Sequence, residues 1–275
     1  MKQPYYRVAP PAGWPHLQLA EIPPYRDLLF FLVWRGIRLR YQQTVIGIFW
    51  VILQPLLTML IFTLLLGNWI KVPTAGVPYP LFAFAALVPW NFFTHCLTKS
   101  TFSLLDDKAT ISKVYFPRLL LPLAAVLAGF VDLLISFAAL LVMLLFYGWT
   151  PAIQFLLLPL IMLWAICAAL GIGLWLAALN VEYRDISNAV PFLLQIWFFI
   201  TPVVYPVTVV PSQWQWLLGL NPMTAVIEGF RWSLFGSPVQ IPWQHFALSG
   251  CSLFLISLGG LYFFRHKEPY FADVI

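Results

Sequence analysis

The sequence predicts an all-α integral membrane protein with six transmembrane helices. An N-terminal amphipathic interfacial helix is expected before the first span, and re-entrant helices between the fifth and sixth. Three observations carry this. Charged residues make up 9% of the chain against 61% hydrophobic, with a mean hydropathy of +0.86; a soluble domain of 275 residues could not cover its surface with so few polar groups. Six apolar runs approach the length of about 20 residues that a spanning helix needs, at 46–66, 81–97, 119–147, 153–179, 189–204 and 246–264. With these spans, thirteen of the fifteen Lys and Arg residues fall on one side, leaving only Lys71 and Arg231 on the other. The positive-inside rule then puts both termini in the cytoplasm. A five-span alternative would put Arg265, His266 and Lys267 outside, against that bias. The pI near 9.2 is on this reading a topology signal, with nucleic-acid binding the weaker explanation.

Residues 1–24 hold Pro4, Pro10, Pro11, Pro15, Pro23 and Pro24 and lack an early apolar core, so they read as a flexible cytoplasmic lead-in without a secretory signal. Residues 25–42 are apolar enough to bind a membrane and too charged to cross one. On a helical wheel Asp27, Arg35, Arg38 and Gln42 share a wedge of roughly 80°, opposite Leu28, Leu29, Leu32, Val33 and Leu39. That describes a helix lying in the interface. Arg40 falls off the wedge, near the start of the first span, where it is expected to snorkel to headgroups. Arg35, Arg38 and Arg40 either anchor the helix to lipid or attract a phosphate-bearing lipid substrate, since guanidinium pairs with phosphate in bidentate fashion. The two roles are compatible.

The second and third spans are joined by residues 99–118, KSTFSLLDDKATISKVYFPR, where a bare connector needs only a few residues. Its middle is expected to form a short helix exposing Asp106, Asp107 and Lys108, with Pro117 breaking it before the third span. It is either a docking surface for a cytoplasmic partner or a solvated loop. Asp132 is the only acid within a span. It is a proton-coupling candidate by default, or a structural acid hydrogen-bonded to a neighbouring helix. The turn at 180–185, NVEYRD, reads as a polar stop between spans. The fifth run is short and broken by Pro191 and Pro202, with Pro206 just beyond. Residues 207–243 lie on the outer side and are too interrupted to cross. Asn221-Pro222 is a helix start, with Asn as N-cap and Pro at the first position. The helix that follows, 223–235, carries Glu228 and Arg231 at i,i+3 as an ion pair, and Trp214, Trp216, Trp232 and Trp243 suit the membrane–water boundary. Backbone that is not helical at membrane depth must border protein or water, so this region is expected to border a pathway. Cys96, Cys167 and Cys251 fall within spans and read as inert packing residues. Residues 265–275 are expected to form a cytoplasmic tail.

No G-x-x-x-x-G-K-[ST], G-x-S-x-G or H-E-x-x-H occurs, and His16, His95, His245 and His266 are scattered. The chain therefore has no P-loop with which to hydrolyse a nucleotide and no visible catalytic or metal-ligating constellation.

The stretches RDLLFFLVWRGIRLRYQQTVIGIFWVILQPLLTMLIFTL (26–64), KVYFPRLLLPLA (113–124), LNVEYRDI (179–186), PVVYP (202–206) and LNPMTAVIEGFRW (220–232) resemble, in their order, the transmembrane subunits of ATP-binding-cassette exporters for polysaccharides, a group serving O-antigen, capsule, teichoic-acid and polyol-phosphate export in the bacterial inner membrane. The resemblance covers nearly all of residues 25–264. It implies a permease that is not an enzyme, binds no cofactor itself, pairs as a homodimer and takes two copies of a separate ATP-binding-cassette subunit that carries ATP-Mg. It further implies that 99–118 is the surface the ATPase grips, with Asp106, Asp107, Lys108 and Lys113 as coupling residues. The first and fifth spans would face each other across the dimer axis as a channel, and 207–218 and 223–235 would be periplasmic gate helices holding Glu228 and Arg231.

A long glycan must thread such a channel, and aromatic faces bind sugars loosely enough to let them slide. Phe49 and Trp50 on the first span, with Phe192, Trp197, Phe198, Phe199 and Tyr205 on the fifth, are the candidate faces, and Gln54 and Gln195 are polar groups expected to avoid lipid. A lipid-linked glycan would dock its phosphates near Arg35, Arg38 and Arg40. The alternatives are an exporter of drugs or other lipids with the same architecture, a proton-coupled flippase centred on Asp132, and a membrane-bound transferase acting on lipid-linked sugars.

Overall fold

Long runs of Leu, Ile, Val, Phe and Ala form helices here because lipid offers no alternative partner for backbone N–H and C=O groups. A computed structural model of the chain describes residues 22–42, 47–150, 153–236 and 243–271, all of them helical or in turns and connections. The elements are α1 (Arg26–Tyr41), α2 (Phe49–Phe62, continued as a π-helical stretch Thr63–Trp69), α3 (Tyr79–Asp106), the single turn α4 (Lys108–Ile111), α5 (Leu120–Phe146), α6 (Leu158–Glu182), α7 (Ile186–Ile200), α8 (Ser212–Leu220), α9 (Pro222–Phe235) and α10 (Trp243–Lys267). The expected lead-in lies outside the described residues up to position 21. From Pro23 to Tyr25 the chain makes a 3₁₀ turn into α1.

Among the described residues, five helical stretches are long and apolar enough to cross a membrane: Phe49–Trp69, Tyr79–Asp106, Leu120–Phe146, Ile153–Glu182 and Trp243–Tyr270. The fifth expected run, α7, has 15 residues. At 1.5 Å per residue that is about 22 Å, short of a hydrocarbon core of about 30 Å. It stops at Thr201-Pro202, as the prolines there require.

α3 is the axis of the fold, with 78% of its most apolar window buried inside the protein, against 6% for α2. Around α3 pack α2, α5, α6, α7 and α9. Leu81, Phe84, Leu87, Phe93, Leu97, Leu133, Leu140, Ile227 and Phe230 are in the shared core. α6 and α10 approach closely through small residues: a methyl group at Gly260 would lie 2.3 Å from the Gly171 carbonyl, and one at Gly171 would lie 2.8 Å from Ser257 Cα. Such contacts let helices associate where no hydrophobic drive separates them from lipid. A second cluster at the α1 end gathers Leu32, Leu104, Ile111, Phe116, Leu120, Val181, Phe264 and Phe271.

Two expectations about the elements change. α3 runs without a break past Lys99 to Asp106, so the first part of the expected loop is helix; Thr101 and Ser103 donate to the carbonyls of Leu97 and Ser100 rather than breaking it. The helix from Pro222 to Phe235 is packed inside the protein. Nearly every residue of α9 is buried, because α3, α6 and α10 surround it. Asn221 caps it by accepting from the Met223 N–H at 3.0 Å.

Candidate functional site

Among the described residues, three assemblies hold residues singled out from the sequence. The first joins α1 to the bundle. Gly36 brings α1 against α5, where a methyl group at Gly36 would lie 3.3 Å from the Ala128 methyl. Leu32 is buried on that side, while Phe30, Phe31 and Trp34 are exposed, leaving an apolar face outward that the helical wheel did not give. Arg35 turns inward and clasps both Asp107 carboxylate oxygens, at 2.6 and 2.5 Å. Asp107 is therefore not the exposed residue expected; the helix end that carries it lies under α1. Asp106 and Lys108 are exposed. Arg38 stays on the exposed side.

Arg40 does not reach out to headgroups. Its guanidinium lies 2.8 Å from the Asp132 carboxylate of α5 and 2.7 Å from Nδ1 of His95. The Tyr41 hydroxyl also donates to Asp132. Burial, and then the bond to Asp132, pushes the Tyr41 phenol up, which keeps it a donor. An acid at this depth needs a partner, and α1 supplies two. Asp132 is thus an inter-helix anchor with a guanidinium beside it, which favours the structural reading over the proton-coupled one.

Two cavities meet at this anchor. One, of about 460 Å³, is lined by Arg35, Arg40, His95, Lys99 and Asp107 between α1, α3 and α5. The other, of about 270 Å³, is lined by Gln54, Asn91, Thr94, Thr98, Asp132 and Ser136 between α2, α3 and α5. Gln54, itself exposed, borders this second space. Pro55 cannot donate to the Val51 carbonyl, and Ser136 Oγ donates to it instead at 3.4 Å.

The second assembly surrounds the turn after α7. Residues 201–205 leave the helix, so their carbonyls need donors. Arg231 of α9, fully buried, donates to the carbonyls of Pro202 at 2.8 Å, Val203 at 2.5 Å and Phe82 at 3.3 Å, and to the Glu228 carboxylate at 2.8 Å. Its guanidinium also stands 3.6 Å from the centroid of the Phe82 ring. The Glu228–Arg231 pair expected on an outer surface is therefore an interior staple. The Tyr205 hydroxyl donates to the carbonyls of Phe199 and Ile200, closing the end of α7.

The third assembly is the loop between α3 and α5. Ser112, Lys113, Val114 and Tyr115 project from it, Tyr115 at 85% exposure, while Ile111, Phe116 and Pro117 are buried beneath.

The channel candidates divide. Phe49, Trp50, Phe192 and Phe199 are exposed, and Gln195 is exposed beside the last two on one face of α7. Trp197 and Phe198 are packing residues instead, edge-on to Phe93 (5.3 Å) and Trp90 (5.7 Å), with Phe62 of α2 5.7 Å from Phe198. Their side of α7 faces α3.

The ABC-2 type transporter family matches residues 27–235, well over half of the chain, from α1 to the end of α9. The chain belongs to this family. It is a multi-pass membrane protein and, as an ABC-2 type transporter subunit, a transport component rather than a catalyst. Among its relatives is the O-antigen export system permease protein RfbA of Myxococcus xanthus, 31% identical over 258 residues, which covers 93% of this chain and 98% of that one. The RfbA of Klebsiella pneumoniae is 27% identical over 250 residues, covering 90% and 95%. The polysialic acid transport protein KpsM of Escherichia coli is 25% identical over 200 residues, covering 70% and 76%.

Sequence reasoning missed two features of this ABC-2 transporter. The exposed apolar tip Val114-Tyr115 sits inside the KVYFPR stretch, which carries no local sign of which residues point outward. Glu268, three residues after Arg265 in an apparent tail, binds Arg265 at 2.8 Å and reaches Arg118 of the α3–α5 loop. The i,i+3 spacing was the only visible signal, and it said nothing of Arg118.

Proposed function

We propose that this chain is the transmembrane half of an ATP-driven exporter of lipid-linked polysaccharide in a bacterial inner membrane. It works as a homodimer with two copies of a separate nucleotide-hydrolysing subunit that carries ATP-Mg. The observation that carries the reading is the match, over almost the whole of both chains, to O-antigen export permeases. Three features of the molecule agree with it. α2 and α7 leave broad apolar faces uncovered, with Phe49, Trp50, Leu57 and Leu60 on one and Phe192, Ile196 and Phe199 on the other, as a second copy across a channel would require. The sequence holds no P-loop, so the energy source must lie on a partner. The projecting loop with Asp106, Lys108 and Lys113 offers that partner a handle, and Asp107 braces the loop against α1 through Arg35.

On this reading α7 is the fifth of six crossing segments, completed by the turn at 201–205, and both termini are cytoplasmic. Residues 207–220 and α9 close the outer end. The cycle begins with the glycan's lipid phosphates near Arg35, Arg38 and Arg40. ATP-driven closure of the partner subunits moves the loop and, through α3, the spans, and the sugar chain slides along Phe49, Trp50, Gln195 and Phe199. Gln54 faces the cavity beside Asp132 and hydrates the inner side of α2.

Tagging the chain, solubilising it gently and identifying the bound cytoplasmic protein tests the partnership; a P-loop ATPase is expected. Deleting the gene should leave polysaccharide inside the cell on its lipid carrier. Nucleotide hydrolysis by the purified chain alone, or undiminished surface polysaccharide in the deletion strain, would refute the proposal.

A further inference from the structure

Pro117 and Arg118 lead into α5, and the first N–H groups of a helix have no partner within it. The Arg118 N–H, in the turn just before α5, is met from the other end of the chain. α10 ends at Lys267, and the 3₁₀ turn Glu268–Tyr270 folds back on the base of the α3–α5 loop. Oε1 of Glu268 accepts from the Arg118 backbone N–H at 2.7 Å, and Oε2 accepts from the Arg265 guanidinium at 2.8 Å. The Glu268 carbonyl accepts from the Arg118 guanidinium. The carboxylate thereby ties down the turn that leads into α5, near the helix end where negative charge also suits the helix dipole.

Exposed i,i+3 pairs usually contribute little, but the side chains of Arg265 and Glu268 are only 5% and 14% exposed. Phe271 closes the same joint. It is buried with its ring centroid 5.2 Å from that of Phe264, in the cluster that holds Ile111, Phe116 and Leu119. Both feet of the projecting tip, Ile111 on one side and Phe116 to Arg118 on the other, rest on this joint. Between them only residues 112–115 stand out.

We infer that Glu268 is a positioning residue for that tip: the turn after α10 holds Lys113, Val114 and Tyr115 in the orientation that the ATPase subunit meets. The inference rests on the docking role of residues 99–118 proposed above. Without the carboxylate the tip samples other orientations, and apparent affinity falls by the fraction of time it spends away from the competent one. Catalysis at the partner's own site is untouched.

The test uses the full chain in lipid nanodiscs, titrated with the ATPase subunit that co-purifies with it, reading complex formation and ATP turnover together. For Glu268→Ala the half-saturating concentration of ATPase subunit should rise about tenfold, as loss of a charge-assisted contact implies, with turnover at saturation unchanged. Glu268→Gln, which keeps size and one acceptor, should show a smaller rise and carries the test if Glu268→Ala does not fold. Tyr115→Ala at the tip should also raise the half-saturating concentration. If Tyr115→Ala shifts the titration and the Glu268 variants do not, the positioning role is overturned while the docking role stands. If neither shifts it, the docking role falls and the inference with it. A shift from Glu268→Ala without one from Tyr115→Ala would also overturn the inference, since the effect would then lie away from the tip.

Discussion

Replacing Arg231 by Ala removes one side chain and strands several partners at once. The Pro202 and Val203 carbonyls lose donors at 2.8 and 2.5 Å, Phe82 loses one at 3.3 Å, and Glu228 is left as a buried carboxylate without its cation. Each unsatisfied buried acceptor costs about 1–3 kcal/mol, and breaking a buried pair from one side costs about 3–5 kcal/mol. These are not additive, because the turn relaxes and Glu228 takes up a proton, so a loss of about 3–5 kcal/mol is expected for the whole assembly. At roughly 2–4 °C per kcal/mol for a domain of this size, the melting temperature should fall by about 10 °C. Fluorescence-detected size exclusion after heating the solubilised protein measures it. Arg231→Lys should recover little, since one ammonium cannot span carbonyls that a planar five-donor fork reaches together. Glu228→Gln should be milder, because the amide oxygen still accepts. A melting temperature for Arg231→Ala within about 2 °C of the unmodified protein would refute the staple, since only a surface pair is worth so little.

Gly171→Val should prevent normal assembly of the α6–α10 pair. Even the first added carbon would lie 2.5 Å from Ser257 Oγ, and overpacking of this kind costs about 1–3 kcal/mol or more; normal yield and melting would show that the helices can separate freely. Asp107→Lys should loosen α1 by setting a second cation against Arg35, whereas Asp106→Lys, on the exposed neighbour, should spare folding and act on ATPase assembly alone. Limited proteolysis of α1 separates the two outcomes, and equal sensitivity in both variants would refute the distinction. Asp132→Asn keeps an acceptor for Tyr41 and removes the charge beside Arg40, so ATP-driven export from inside-out vesicles should persist. Abolished export in a variant that folds and binds its ATPase normally would restore the proton-coupled reading.

Hydropathy and charge bias were enough to find the long helices, because both report on the solvent each segment meets. The end of α7 at Pro202 was legible as a local statement about the backbone, whereas Pro191, also expected to break this run, lies inside the helix. The Asn221-Pro222 helix start was legible for the same reason. What could not be read was which polar groups meet. Arg40 and Asp132 are 92 positions apart in the chain, and the wheel of α1 alone placed Arg40 toward lipid headgroups. Arg231 reads as half of a surface pair when only its own helix is considered. Its burial follows from α3, α6 and α10 closing around α9, a fact of tertiary packing that no local pattern contains. Glu268 was hidden similarly, by its assignment to a tail.

These placements share a cause. A chain with 9% charged residues holds some of its ions away from water, and those here answer a particular backbone or helix-docking demand. Ending α7 at Thr201 frees carbonyls at a depth where water is not assured, and a neighbouring helix must then bring a cation with several donors. Fixing α1 against α5 calls for a charge on each, which Arg40 and Asp132 provide. Fixing the turn that leads into α5 calls for an acceptor, which Glu268 provides to the Arg118 N–H. Arg231 is thus a consequence of the broken fifth segment rather than an independent ornament of the outer surface. Any change that restored helix through residues 201–205 would remove the reason for Arg231, and with it the shape of the turn that separates α7 from the buried helix α9.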